Sequence, residues 1–442
     1  MKKYIGYIGV VIAIIGIVSA SLIIAVATPI LYEMSNNVVF ISDEPLRSET
    51  GAIKGDGTGR NADNPLISQN YGSEYSYLNT ALYQATEKLK DSGGTIVVMG
   101  RCCFDYLDVC TAKFGEKTIV FTSVYGGVDY RKTNDARIVL DGSSSISVYG
   151  SSVWENITFE TATEDRVISF NGFETKIENG VECRVIDNEK ANKSEYYLSL
   201  CAGSLTENSY GQAPFLSIKS GTYHKIVAGL WGENVEQVAD DMHTTLYLGG
   251  SVRVLGLISG TAYGKCDFGG SVNIIIDGGV YEGDIIGAFG SGMTNPDSLV
   301  VIKINDGDFS KTLSIRNCGV GCKNDSPQYS VLDFSDWKGG LSDLAYAYNS
   351  ITFFREVLLP VNITDDDLRD FDHKPPIETE GTTEQTEDYD VTNEMSDSES
   401  EKNDEEIEKQ EDHSVLFMVI SVLMLVCIII VVLYSKKRKN IC

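Results

Sequence analysis

A repeat in the middle of the chain limits its folding more than any other feature. Ile218-Lys219-Ser220-Gly221-Thr222-Tyr223 returns as Ile276-Asp277-Gly278-Gly279-Val280-Tyr281 and as Ile304-Asn305-Asp306-Gly307-Asp308-Phe309, with a weaker copy, Leu248-Gly249-Gly250-Ser251-Val252, between them. Tyr223, Val252, Tyr281 and Phe309 are thus 29, 29 and 28 residues apart. A period of this length means stacked structural units. Each unit goes on to a second apolar stretch, such as Ile226-Val227-Ala228 or Leu255-Gly256-Leu257-Ile258, and stops at a glycine: Gly232, Gly260, Gly290 and Gly319. Short strands broken by glycine, without helical periodicity, predict the coils of a β-solenoid. The glycines are expected to supply positive φ at the corners. One coil cannot cover its own apolar face, so stacking is what stabilises the fold.

The same grammar runs upstream with less regularity. Thr95-Ile96-Val97-Val98-Met99, Thr118-Ile119-Val120-Phe121, Arg137-Ile138-Val139-Leu140 and Asn156-Ile157-Thr158-Phe159 read as strands separated by Gly, Asn and Asp. Ahead of them, Leu78, Ala81, Leu82, Ala85 and Leu89 share one helical face, and Ser92-Gly93-Gly94 ends that helix. Such a helix covers the open end of a stacked core and blocks edge pairing. Leu341 to Phe354 is expected to do the same at the other end.

The termini are of another kind. Tyr4 to Leu31 is almost wholly apolar behind Lys2 and Lys3, and Val415 to Tyr434 is a second apolar run followed by Lys436, Lys437, Arg438 and Lys439. At ~1.5 Å per residue the second run matches a bilayer core. Basic residues favour the cytoplasmic side and both runs carry theirs at the extreme ends, so the chain between them is expected outside the cell membrane. The first run reads either as a cleaved signal peptide or as an uncleaved anchor. Of the net charge of −27, Asp365 to Asp412 holds −17, with 21 acidic against 4 basic residues. This reads as an extended, self-repelling stalk. No basic tract lies outside the tail, which argues against nucleic acid as a partner.

Of 10 cysteines, Cys427 falls in the second apolar run and Cys442 is the last residue. The others are open to two readings: disulfides, with Cys318 and Cys322 closing a short loop and Cys102 or Cys103 meeting Cys110, or free thiols buried in the stack. No zinc spacing is present, and no metal or other cofactor is expected. Gly55-Asp56-Gly57-Thr58-Gly59 lacks the Lys-Ser or Lys-Thr of a phosphate loop and reads as a turn.

The order Val39-Phe40-Ile41-Ser42, Gly55 to Gly59, Asn64-Pro65-Leu66, the helix, and Gly93-Gly94-Thr95-Ile96-Val97-Val98 resembles the leading module of pectin-lyase-like proteins. Ser271-Val272-Asn273-Ile274-Ile275-Ile276-Asp277-Gly278-Gly279 resembles the glycine-rich coils of bacterial cell-surface members of that superfamily. The resemblance covers about Val38 to Trp337 and implies an all-β fold, a right-handed parallel β-helix with an N-terminal capping helix, here flanked by transmembrane helices. The expected division is 1–35, signal peptide or anchor; 36–94, leading module and capping helix; 95–364, β-helix ectodomain; 365–412, acidic disordered stalk; 413–434, transmembrane helix; 435–442, basic cytoplasmic tail. Similar enzymes cleave acidic polysaccharides with clustered aspartates and an arginine, or with paired aspartates, Gly-His-Gly and Arg-x-Lys. Here Asp240-Asp241 lacks the Gly-His-Gly, His224 is flanked by Tyr223 and Lys225, and Arg253 lacks the lysine.

The segments after the four coil-ending glycines are expected to emerge along one edge as a rim, where loops on a rigid scaffold carry recognition. Trp231, Asp240, Asp241, His243, Tyr263, Phe289 and Tyr329 form the candidate ligand-binding set, since aromatic faces stack on sugar rings and carboxylates accept hydroxyl hydrogen bonds. Against it stands a purely structural role, with the aromatics capping coils and the acids solvated. The expected function is a non-catalytic adhesion or glycan-binding module meeting an extracellular glycan or a cell-surface partner. The alternative is a polysaccharide lyase or glycoside hydrolase.

Overall fold

Alternation of apolar and polar residues builds the molecule. Along Ser271–Tyr281, Val272, Ile274 and Ile276 are buried while Ser271, Asn273 and Ile275 are half-buried, as a strand with one face on a core requires. In the computed structural model, residues 37–43, 58–68, 80–103, 109–140, 145–205, 213–235, 243–268, 270–288, 292–293, 299–318, 329–352 and 354–369 are described. These are predominantly β, with a long sheet of parallel strands.

Apart from a short parallel ladder of Leu230–Val235, Ala262–Phe268 and Gly292–Met293, the strands that pair in parallel fall into three stacks. Stack A begins with Val38–Ile41, Gly94–Val98 and the second half of Val109–Thr122, and continues to Thr175–Ile177 and Phe215–Ile218. It then takes the first parts of His243–Val254, Ser271–Tyr281 and Leu299–Asp308, and ends with Tyr329–Asp333 and Glu356–Leu358. Stack B holds Arg101–Cys103, Arg137–Leu140, Thr158–Thr161 and Glu182–Val185, followed by a separate ladder joining Thr222–Tyr223 to residues 253–254 and 280–281. Stack C runs from the start of Val109–Thr122 through residues 146–147, Val167–Ser169, Ser199–Cys201, Ile226–Val227, Ile258–Ser259, Asp284–Ala288 and Ser314–Cys318 to Ile351–Thr352. The chain visits A, B and C in turn and comes back to A one strand further on.

Register puts like on like. In stack A the partners Val39, Ile96, Phe121, Trp154, Ile177, Ile218, Leu248, Ile276 and Ile304 form one column. All of them are buried. In stack C the corresponding column is Ile146, Ile168, Leu200, Ile226, Ile258, Ile285, Ile315 and Ile351. Each fully buried aliphatic side chain in such a column contributes ~1.5–3 kcal/mol.

The helix Ala81–Leu89 forms where the apolar spacing predicts it, with the Thr80 side chain accepting from the Tyr83 N–H and Ala81, Leu82, Ala85 and Leu89 buried. The helix Leu341–Asn349 buries Leu344, Ala345 and Ala347, but the chain returns to strand at Ile351 rather than continuing helical to Phe354. Two expectations about the corners are corrected. Tyr223 partners Val254, not Val252, and Val254 partners Tyr281, because the register shifts between Gly250 and Arg253. Gly260 does not have positive φ; it is there because a Cβ would stand 2.4 Å from the Gly287 carbonyl oxygen and 2.2 Å from Val272 Cγ1. Among the described residues of 213–333 the positive-φ glycines sit instead between stacks A and B, at Gly221, Gly250, Gly278, Gly279 and Gly307.

Asp365–Arg369 is a short helix with Leu368 buried, so the folded part extends beyond the expected start of the stalk at 365. The expected signal or anchor, the rest of the stalk, the second apolar run and the tail lie outside the described residues. Among the described residues, no helix is long and apolar enough to cross a membrane.

Candidate functional site

The side chains that gather most chemistry in one place stand at the corner between stacks B and C. His224 and Lys225 link Tyr223, buried at the end of B, to Ile226, buried at the start of C. The two-residue link holds both side chains close to the core surface. Asp165 occupies the same corner on an earlier turn of the chain, in a left-handed conformation (φ 54°) that aspartate tolerates. Lys225 Nζ donates to Asp165 Oδ1 at 3.2 Å and to Tyr263 Oη at 3.1 Å. The same ammonium lies 4.4 Å from the Tyr263 ring centroid and 5.9 Å from that of Trp231.

Trp231 and Tyr263 are brought together by the parallel pairing of Leu230–Val235 with Ala262–Phe268, in which they are direct partners. Their ring centroids are 4.8 Å apart at 34°. Leu230 and Ala262, one residue before each ring, are buried, and the Trp231 N–H donates to the Ser204 carbonyl at 2.8 Å. Both rings are half-buried. The Lys225 side chain is only 13% exposed, whereas that of Asp165 is 57% exposed. His224 Nδ1 is buried without a hydrogen-bond partner, 3.7 Å from Asp165 Oδ1. Burial first, and then the neighbouring Lys225 charge, push this imidazole down to about 4 against the opposing pull of Asp165.

Of the expected set, the structure thus joins Trp231 and Tyr263. It places His243 apart from them, exposed at the start of its strand and paired with Ser271, its Nδ1 2.6 Å from Ser271 Oγ. Tyr329 opens Tyr329–Asp333 opposite Leu299, with its side chain outside the described residues. Asp240, Asp241, Phe289 and Cys322 lie outside the described residues, as does the Cys318 side chain. Cys183 and Cys201 are free thiols. Burial pushes Cys183 up to about 12 and raises Cys201 further, which keeps both from acting as nucleophiles. Lys225, Asp165 and His224 were not anticipated as site residues. His224 and Lys225 fall just inside a repeat, and Asp165 belongs to a part of the chain without visible period.

A second cluster lies at the corner between A and B. Asp277 and Asp306 are partners on adjacent strands, as are Lys303 and Asp333. Lys338 Nζ donates to Asp277 Oδ1 at 2.7 Å, Tyr247 Oη to Asp277 Oδ2 at 3.1 Å, and Lys303 Nζ to Asp336 Oδ2 at 2.5 Å. The hydrogen bond from Lys338 holds the Asp277 carboxyl below the usual carboxylate range. Among the described residues no cluster has the donors for a metal ion. Comparison with protein families, curated proteins and solved structures finds no match.

Proposed function

We propose that the chain is a membrane-anchored surface protein whose ordered part is a right-handed parallel β-helix of the pectin-lyase-like kind, and that it binds an extracellular glycan without cleaving it. Support for the β-helix comes from the cyclic visiting of three parallel stacks. Support for the anchorage and outward placement comes from the two terminal apolar runs with basic residues at the chain's ends. The observation that carries the binding reading is the half-buried Trp231–Tyr263 pair beside the exposed Asp165 carboxylate: a flat apolar surface next to a hydrogen-bond acceptor suits a sugar ring and its hydroxyls. Glycan-array binding of the full-length chain and of Trp231→Ala tests it. The expected result is binding weakened by ~1–2 kcal/mol or more with little change in melting temperature. A large melting shift with unchanged binding would assign the ring to the core instead.

A second reading, polysaccharide cleavage, is favoured by the acids and lysines on neighbouring strands around Asp277. Against it, Asp277 is held ionised by Lys338, while a general acid needs its proton retained near the working pH. Release of reducing ends or unsaturated products from polysaccharide, lost in Asp277→Asn, would establish that reading.

A further inference from the structure

We infer that the glycan held at the corner of stacks B and C is a neutral pyranose chain and not a uronate. This rests on the glycan-binding reading and names its ligand class. The argument turns on which charge a ligand meets. The ammonium of the corner is enclosed: Lys225 is 13% exposed, with Asp165 and the Tyr263 hydroxyl taking two of its three N–H bonds and two aromatic rings beside it, while the half-buried Arg166 donates its Nε to the Glu164 carbonyl at 3.1 Å. The anion is open, with Asp165 57% exposed. His224 adds no charge near neutral pH, its imidazole being depressed to about 4. Lys190 and Lys193 belong to the same stretch of chain, but they are gathered over the Tyr196 ring, 4.8 and 5.9 Å from its centroid, beside the Glu164 carboxylate. A sugar lying on Trp231 and Tyr263 therefore presents its edge to a carboxylate, which accepts from hydroxyl groups and repels a second carboxylate. A uronate drawn to the remaining N–H of Lys225 would have to reach an enclosed ammonium and set its carboxylate beside that of Asp165, which repels it.

The test is calorimetric titration of the full-length chain with neutral hexasaccharides (cellohexaose, mannohexaose, chitohexaose) and with hexagalacturonate and hexaguluronate. At least one neutral chain is expected to bind tenfold or more tighter than either uronate. Asp165→Asn, which keeps a side chain suited to the left-handed backbone, is expected to close that gap from both sides. A melting temperature close to that of the unaltered chain ensures that the folded corner is being compared. If a uronate binds as tightly as the best neutral chain, and Trp231→Ala abolishes that binding, the ligand class is wrong and the glycan reading stands. If no member of either set binds, the glycan reading itself falls.

Discussion

Residues 94–201 and 213–333 build the same stacks by different means. Along the inner column of stack A, Ile96, Phe121, Trp154, Ile177 and Ile218 follow one another at intervals of 25, 33, 23 and 41 residues. Ile218, Leu248, Ile276 and Ile304 follow at 30, 28 and 28. The irregular part absorbs its spare length in the hairpin Val124–Tyr125/Val128–Asp129 and the helix Tyr130–Asn134. Two aromatics enter its column: Trp154 stacks on Phe121 at 3.9 Å and leans on Phe159 of stack B at 5.5 Å. Outside, a ring of charges binds successive strands of stack B. Arg137 and Arg184 each donate Nε to Glu160, at 2.9 and 2.8 Å, and both reach Asp135. The regular part replaces these devices with aliphatic side chains of one size and with glycine corners. The difference teaches that stacking conserves register, not chain length, because only the inward position must be matched from strand to strand.

Four experiments bear on that contrast, in falling order of expected effect. Ile276→Asp buries an unpaired carboxylate at a fully buried position and should cost more than ~5 kcal/mol or abolish folding. Chemical denaturation checks it, and an unchanged midpoint would show that the regular column is not the core. Trp154→Ala should cost ~4 kcal/mol in the irregular part by leaving a void against Phe121 and Phe159. A loss below ~1 kcal/mol would mean that the aromatic column is loosely packed.

The third experiment probes the joint between the two parts, where Asp165 of one meets His224 and Lys225 of the other. Folded, His224 stays neutral down to about pH 4, whereas in the unfolded chain it takes a proton near pH 6.5. The unfolded state therefore binds more protons in that window, and stability should fall by up to ~3 kcal/mol as pH drops from 6.5 to 4. His224→Gln should remove this part of the pH dependence; an unaltered slope would place its origin elsewhere. Last, Glu160→Gln weakens two charge-assisted hydrogen bonds and should cost ~2 kcal/mol. Measured across a salt series, that loss should shrink as salt screens the ring, while the effect of Trp154→Ala stays constant.

The regular part was legible in the sequence because its repeat fixes both strand and corner: the placing of Ile218, Ile276 and Ile304 in one column follows from spacing alone. The weak copy misled by two residues, at Val252 against Val254, because a bulge adds length that a simple count cannot see. The irregular part showed its strands but not their order, since Ile177 and Ile218 pair across 41 residues with nothing repeated between them. The candidate site was legible in its aromatics, Trp231 and Tyr263, which are direct partners on adjacent parallel strands. Its charged half was not, because Asp165 reaches Lys225 across 60 residues, and only register brings them to one corner.

The two nine-residue helices, Ala81–Leu89 and Leu341–Asn349, come respectively with the early and the late strands of the stack, and among the described residues of 213–333 there is no helix. A tandem duplication of residues 243–270 would therefore deliver the chain from Phe268 back to a second His243 with its register already correct. Both helices would be left as they are. Each such duplication would lengthen the molecule by one strand spacing, ~4.8 Å. Reach is then a property that a gene can adjust in whole steps, without inventing new packing at either end.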